Sequence, residues 1–351
     1  YLYWAIAANV ESAPTLAKSF STDQWSYAAA PHNIYSSIGP EFVWIKDKGQ
    51  TEPHVLFDII RGANYGLKSS STQANTLFSN SLESFNPNGY TLGTDGAGVV
   101  NYSGRGPYIG WSWKASELPA INTNGSITSL ASVNAAAGFS VVKYTGTGAN
   151  ATVGHGLNKA PSLVIVKPYS RSGDNWAVFN SFNLNTEAAF LNLDGAFKTA
   201  SNWGYGAGTF WNNTSPTSTV FSVGTIADTN ASGENIIGYC FADISGYQKI
   251  DSYSGNGTSK TLYTTDDGTS GGANGFQPDF VLVKRTDNTG NWVIVDSVRG
   301  VNQQLYPNLN NADNTDSNGV QSFNSNGFTV GSGSDFNASS GTYIYLAIKF
   351  N

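Results

Sequence analysis

The chain has one cysteine, Cys240, no methionine, and three histidines, His32, His54 and His155. A single thiol cannot build an internal disulfide framework, and scattered histidines do not supply the clustered ligands of a zinc site. Cys240 lies in the apolar run Ile236-Ile237-Gly238-Tyr239-Cys240-Phe241, which reads as a buried small hydrophobe rather than a nucleophile. Charge is also scarce: charged residues are 12% of the chain and the formal net charge is -6. Nothing here clusters Lys and Arg to displace counterions from phosphate, so a nucleic-acid partner is not expected. No apolar run approaches the ~18 residues of a membrane-spanning helix, and no signal-peptide pattern is visible, so membrane insertion is not expected. Lacking an initiator and opening on Tyr1-Leu2-Tyr3-Trp4-Ala5-Ile6-Ala7, the sequence reads as part of a longer or processed protein.

What is present favours strands. Apolar residues make up 40% of the chain, enough to bury a core. Tyr, Phe, Trp and Val dominate them, while Gly, Ser, Thr and Asn dominate the polar positions. β-branched and aromatic side chains suit a pleated surface, and Asn-Gly pairs such as 88–89 and 326–327 suit hairpin turns.

One module recurs three times. Glu41-Phe42-Val43-Trp44-Ile45-Lys46 returns as Ser162-Leu163-Val164-Ile165-Val166-Lys167 and as Asp279-Phe280-Val281-Leu282-Val283-Lys284, each after a proline (Pro40, Pro161, Pro278). Downstream, Val55 to Gly62 matches Val293 to Gly300. The middle copy, Trp176 to Asn180, lacks the Arg-Gly end. Ser84 to Gly93 matches Ser322 to Gly331, against Ser218 to Gly224. A loop carrying Asn101, Asn230 or Asn337 then leads to a closing aromatic strand, and Tyr1 to Ala7 reads as a further closing strand. The period is domain-sized rather than solenoid-sized.

These observations predict an all-β chain of tandem antiparallel β-sandwich modules, jelly-roll or lectin-like, over 1–133, 134–247 and 248–351. The modules are expected in a row, end to end. Only Ser126 to Ala137, at the first junction, reads as a possible short helix. Tyr1 to Ala7 is expected to complete the sheet of the first module or of a neighbouring subunit.

Residues Gly138-Phe139-Ser140-Val141-Val142-Lys143-Tyr144-Thr145-Gly146-Thr147-Gly148, Val153-Gly154-His155-Gly156-Leu157, Phe210 to Phe221 and Tyr239-Cys240-Phe241-Ala242 carry a resemblance. They resemble an uncharacterised module of marine bacteriophage structural and tail-fibre-like proteins. The resemblance covers 138–351 well and the first copy loosely, which lacks the Gly-Thr-Gly turn and the His-Gly pair. It supplies no catalytic residues. It implies a non-enzymatic component of the virion surface, a tail fibre, spike or other appendage with a role in host attachment. The implied partners are further copies of the chain, with a trimer as one form, other virion proteins, and a host surface glycan or receptor.

Among candidate sites, Trp203, Tyr205, Phe210 and Trp211 form the best aromatic cluster for stacking on sugar rings. Asp58 with Arg61, and Asp296 with Arg299, are repeated opposite-charge pairs, read as structural ion pairs or as a ligand clamp. No cofactor is expected. Calcium is a candidate at Asp313 to Gly319 and, less so, at Asp266-Asp267-Gly268, although neither has EF-hand spacing. His155, flanked by glycines, reads as a turn residue. Glycoside cleavage would need two facing carboxylates. Glu83 and Asp95 are the candidates for that reading, and no acidic pair recurs in all copies. A cell-surface array of carbohydrate-binding modules is the alternative, and a polysaccharide-degrading tailspike a more distant one.

Overall fold

The computed structural model describes residues 18–350, so the expectation for Tyr1 to Ala7 falls outside the described residues. The chain is all-β, built from several antiparallel sheets in a sandwich-like arrangement. Each repeat has a main sheet in which the closing strand lies between the leading strand and the strand that follows the proline. In the first repeat the order is Phe20–Trp25, Tyr108–Trp113, Phe42–Asp47, Val55–Asp58, Tyr65–Lys68. The second runs Phe139–Thr145, Asn235–Phe241, Leu163–Pro168, Ala177–Asn180, Glu187–Phe190. The third runs Gln248–Ser254, Thr342–Ile348, Phe280–Arg285, Trp292–Asp296. Smaller sheets cover one face: His32–Tyr35 with Gly89–Leu92 and Leu82–Asn86, Ala151–Gly154 with Val220–Val223, and Lys260–Tyr263 with Gly327–Val330 and Val320–Asn324.

The main strands are apolar on both sides because both faces are buried. Along Phe42-Val43-Trp44-Ile45, Val43 and Ile45 face the first repeat's own core, while Phe42 and Trp44 enter a core shared by all three repeats. Leu163 and Ile165, and Phe280 and Leu282, enter the same shared core from the other two sheets. Continuous apolar runs of this length mark strands covered on both faces. The modules therefore do not stand in a row. Their main sheets pack inward on one another.

Backbone hydrogen bonds close the ring. The N–H of Asn75 donates to the Tyr169 carbonyl at 2.8 Å, that of Phe197 to Thr286 at 3.0 Å, and that of Asp313 to Lys48 at 2.8 Å. These donors occupy equivalent positions in the three copies, as do the acceptors, each just past a post-proline strand. First joins second, second joins third, and third joins first. This is a head-to-tail cycle of three within one chain.

The short helix expected within 126–137 is instead the strand Ser129–Asn134, which pairs with Phe139–Thr145 in the second main sheet. Ser129, Ala131, Ser132 and Asn134 are buried and Leu130 and Val133 half-buried, and small residues let the strand lie close to its neighbours. It spans the junction placed at 133. The Asn-Gly hairpins form as expected. A Cβ on Gly89 would lie 1.9 Å from the Ile34 carbonyl oxygen, and one on Gly327 2.0 Å from that of Leu262. Glycine is needed there to let a third strand pass.

Candidate functional site

The two repeated ion pairs lie at the seams where main sheets meet. Asp58 ends a strand, and its Oδ1 accepts the Arg61 backbone N–H at 2.9 Å while Oδ2 accepts Arg61 Nε at 2.6 Å. Arg61 also donates to Asn75 Oδ1 at 2.8 Å and to the Leu56 carbonyl at 2.7 Å. Across the seam, the Tyr239 hydroxyl of the second repeat donates to Asp58 Oδ2 at 2.9 Å. Both charged side chains are fully buried. The third repeat repeats this toward the first. Arg299 Nε meets Asp296 Oδ2 at 2.6 Å and its Nη1 meets Asp313 Oδ1 at 2.8 Å, while Trp111 Nε1 donates to Asp296 Oδ2 at 3.1 Å. The Arg299 guanidinium lies 5.6 Å from the Trp111 ring centroid. Every side-chain nitrogen and oxygen of each pair has a partner within the protein, the arrangement a structural ion pair requires.

The seam from second to third repeat is built differently. Strand register places Asn180, Asn183, Phe197 and Leu346 where the first seam has Asp58, Arg61, Asn75 and Tyr239. Asn180 Oδ1 still accepts the residue-183 N–H, at 3.0 Å, so the turn survives without the charge. Four positions change together. Beside them lies an open cleft of about 410 Å³ lined by Phe182 and Asn183 of the second repeat and Ser252, Ser254, Thr286 and Thr342 of the third, among others. Its lining is uncharged. Phe182 is 43% exposed, and the Thr286 and Thr342 hydroxyls lie 2.8 Å apart.

The aromatic cluster does not form a sugar platform. Phe210 and Trp211 are buried in the second repeat's core, where Phe210 packs on Phe190 and Trp211 on Phe179. Trp203 is half-buried with its Nε1 bonded to the Ala188 carbonyl at 2.8 Å, and Lys198 lies over its ring. Tyr205 keeps an exposed edge, but its hydroxyl is held by Asp228 and by Asn175 Nδ2 at 3.0 Å. Trp203, Tyr205 and Phe210 gather around Phe190, while Trp211 packs on Phe179. Residues flanked by Gly, Asn and Thr look like loop in sequence, yet the large rings fill space under that loop.

Other candidates are also occupied by the fold. Asp95 is buried and accepts the N–H groups of Ala97, Val99 and Val100 at 2.9, 2.5 and 2.9 Å, so it shapes a turn. Of the calcium candidates, Asp313 binds Arg299, Asp316 accepts the Asn318 N–H at 2.9 Å, and Asp267 is held by Thr269. Among the described residues no group of three or more His, Cys, Asp or Glu is placed to hold a metal. His155 is buried, with Nε2 at 3.1 Å from the Thr217 carbonyl and Nδ1 accepting from Leu157 N–H. Burial pushes the Cys240 thiol up to about 12, an unreactive state.

Two repeated elements were not singled out as functional residues in the sequence. Asn101, Asn230 and Asn337 are fully buried pins; Asn230 Nδ2 donates to the Ala149 and Gly224 carbonyls at 2.6 and 2.8 Å while its Oδ1 accepts Thr147 N–H at 2.8 Å. Lys46, Lys167 and Lys284 are fully buried at equivalent strand ends. Lys167 donates to the Asp174 carbonyl at 2.7 Å and across the seam to Thr72 at 3.2 Å, and Lys284 likewise to Arg285 at 2.6 Å and Asp194 at 3.2 Å. Desolvation pushes Lys46 and Lys167 down to about 8 and Lys284 to about 7. A lysine closing an apolar run ordinarily reads as a solvated strand end; only its recurrence in all three copies hinted otherwise.

A family model described as Domain of unknown function (DUF7483) matches residues 18–349 in one span covering all three repeats. No curated protein and no solved structure matches the chain.

Proposed function

The chain belongs to the DUF7483 family, and for this member we propose a non-enzymatic structural and adhesive unit of a surface appendage, a phage tail fibre or spike with a role in host attachment. The observation that carries this reading is the shared core. Three main sheets bury Trp44, Trp111, Trp113, Trp176, Trp292 and their neighbours in one aromatic interior, and head-to-tail hydrogen bonds fasten each repeat to the next. Such a body resists being pulled apart repeat by repeat, which suits a load-bearing part exposed outside a cell. In this reading each repeat is a jelly-roll or lectin-like sandwich, and the whole ring, rather than one module, is the unit that assembles with further copies.

The resemblance of 138–351 to marine bacteriophage structural proteins supplies the virion context. A cell-surface carbohydrate-binding protein is the second reading, favoured by the uncharged cleft at the third seam. Cryo-EM of the purified protein and of particles carrying it separates the two. A symmetric assembly of these rings on the particle surface is the expected result. A lone monomer that binds glycans and joins no particle would replace the appendage by the second reading.

A further inference from the structure

We propose that the cleft between the second and third repeats is a binding seat for a neutral saccharide. The inference rests on the attachment reading and assigns it a site distinct from the Trp203–Trp211 cluster.

The three seams are equivalent, so they show what normally fills this place. The residue just past the post-proline strand is Lys48 in the first repeat, Tyr169 in the second and Thr286 in the third. The fifth residue of the leading strand is Gln24, Lys143 and Ser252 in turn. At the seam from third to first repeat, Lys48 donates to Gln24 Oε1, and Gln24 Nε2 reaches across to the Val298 carbonyl at 3.1 Å. At the seam from first to second, Tyr169 and Ile60 pack against the shared core. The protein's own long side chains thus occupy two of the three places. In the third, short hydroxyl side chains stand where Lys, Tyr and Gln stand elsewhere, and the place is open.

The chemistry of the opening is specific. Ser254, Thr342 and Thr286 form a row, since Ser254 pairs with Thr342 and the N–H of Thr286, just past its strand, donates to the Thr342 carbonyl at 2.8 Å. Hydroxyls both donate and accept, as a sugar hydroxyl pair requires, and Asn183 adds an amide. Phe182, in the position that Ile60 and Val298 hold in the other repeats, presents an exposed ring to the same cleft. One aromatic face beside a row of neutral hydroxyls matches a sugar ring, with its apolar C–H face and polar rim. An anionic ligand would find no cationic lining there. The volume lies within the range of about 300–1,000 Å³ usual for small-molecule sites.

The test is titration of the intact chain, by calorimetry or saturation-transfer NMR, with maltose, cellobiose and lactose, and with sialyllactose as the charged control. We expect millimolar binding of at least one neutral disaccharide. Thr286→Tyr, which installs the second repeat's own residue, should weaken it by about tenfold or more, and Phe182→Ala by a smaller factor. Phe182 is 43% exposed whereas Thr286 is buried, so the loss counts only where thermal unfolding of the variant is unchanged and the fold is intact. Ser252→Gln gives a second occlusion if Thr286→Tyr perturbs folding. Absence of binding to every neutral disaccharide, or binding that both occluding variants leave unchanged, overturns the proposal while leaving attachment by another surface intact. A position inside the particle by cryo-EM would instead remove the attachment reading, whatever the titration gives.

Discussion

Two seams of the ring join through a buried carboxylate and guanidinium capped by an aromatic donor from the next repeat, whereas the third has two amides and a leucine at those positions. The exchange is concerted: where Asp58 becomes Asn180 and Arg61 becomes Asn183, the capping Tyr239 becomes Leu346. An ion buried without its partner costs several kcal/mol, so the members of such a network are gained or lost together. The backbone seam bond remains in all three places. Charge at a seam is therefore dispensable for closing the ring, and its absence coincides with the open cleft.

The largest expected break in this comparison is Arg61→Ala, which strands Asp58 in a fully buried site. It should cost about 3–5 kcal/mol in urea unfolding, whereas Asn183→Ala in the third seam should cost about 1 kcal/mol. Equal losses would mean that the charged seams are not special. Next is Tyr239→Phe, which deletes the hydroxyl bonded to Asp58 and should cost about 1.5–3 kcal/mol. A double-mutant cycle with Arg61→Ala should show strong coupling, because both partners meet one carboxylate.

A pH series adds a middle-sized effect. Burial holds Lys46 and Lys167 near 8 and Lys284, at the seam without the pair, near 7, against about 10.4 in an unfolded chain. Between those values the unfolded chain binds more protons, so stability rises with pH. This contribution is complete above about 10.4 and is lost as pH falls through 8 to 7. Thermal unfolding from pH 7 to 9 should show the rise, before the raised pKa of buried tyrosines such as Tyr108 reverses it at higher pH. Lys284→Met should flatten the lower end of the window more than Lys46→Met. The smallest effect should come from rebuilding the pair with Asn180→Asp, Asn183→Arg, Phe197→Asn and Leu346→Tyr together. A correctly formed buried pair is close to neutral against a packed apolar seam, within about 1 kcal/mol by denaturation.

Much of the repeat was legible because strands and turns are local. The post-proline runs, the Asn-Gly hairpins and the Asp-Arg pairs all fall where their residues place them. What stayed hidden depends on the face a strand turns to its neighbour. Phe42 and Trp44 are apolar enough for a sandwich interior, but nothing local says that Val43 and Ile45 already fill that interior and that a second core lies opposite. The same gap misplaced Phe210 and Trp211, whose loop-like neighbours concealed their burial. The cleft was beyond reading for a different reason. Thr286, Ser252 and Thr342 are unremarkable alone, and gain meaning only when strand register sets them against Lys48 and Tyr169.

Each main sheet sets its leading and closing strands side by side: Phe20 opposite Trp113, Phe139 opposite Phe241, Gln248 opposite Ile348. A ribosome therefore releases about a hundred residues before any one sheet can be finished. The first two sheets can pack on one another, but the part of their aromatic inner faces that meets the third sheet stays uncovered until that sheet's closing strand emerges. Nascent chains are thus sticky until the closing strand of the third repeat, Thr342–Ile348, has been made, and contacts so distant in sequence fold slowly. Production at low temperature, or alongside a chaperone that shields apolar surface, should raise the soluble yield more than any single stabilising substitution in the finished ring.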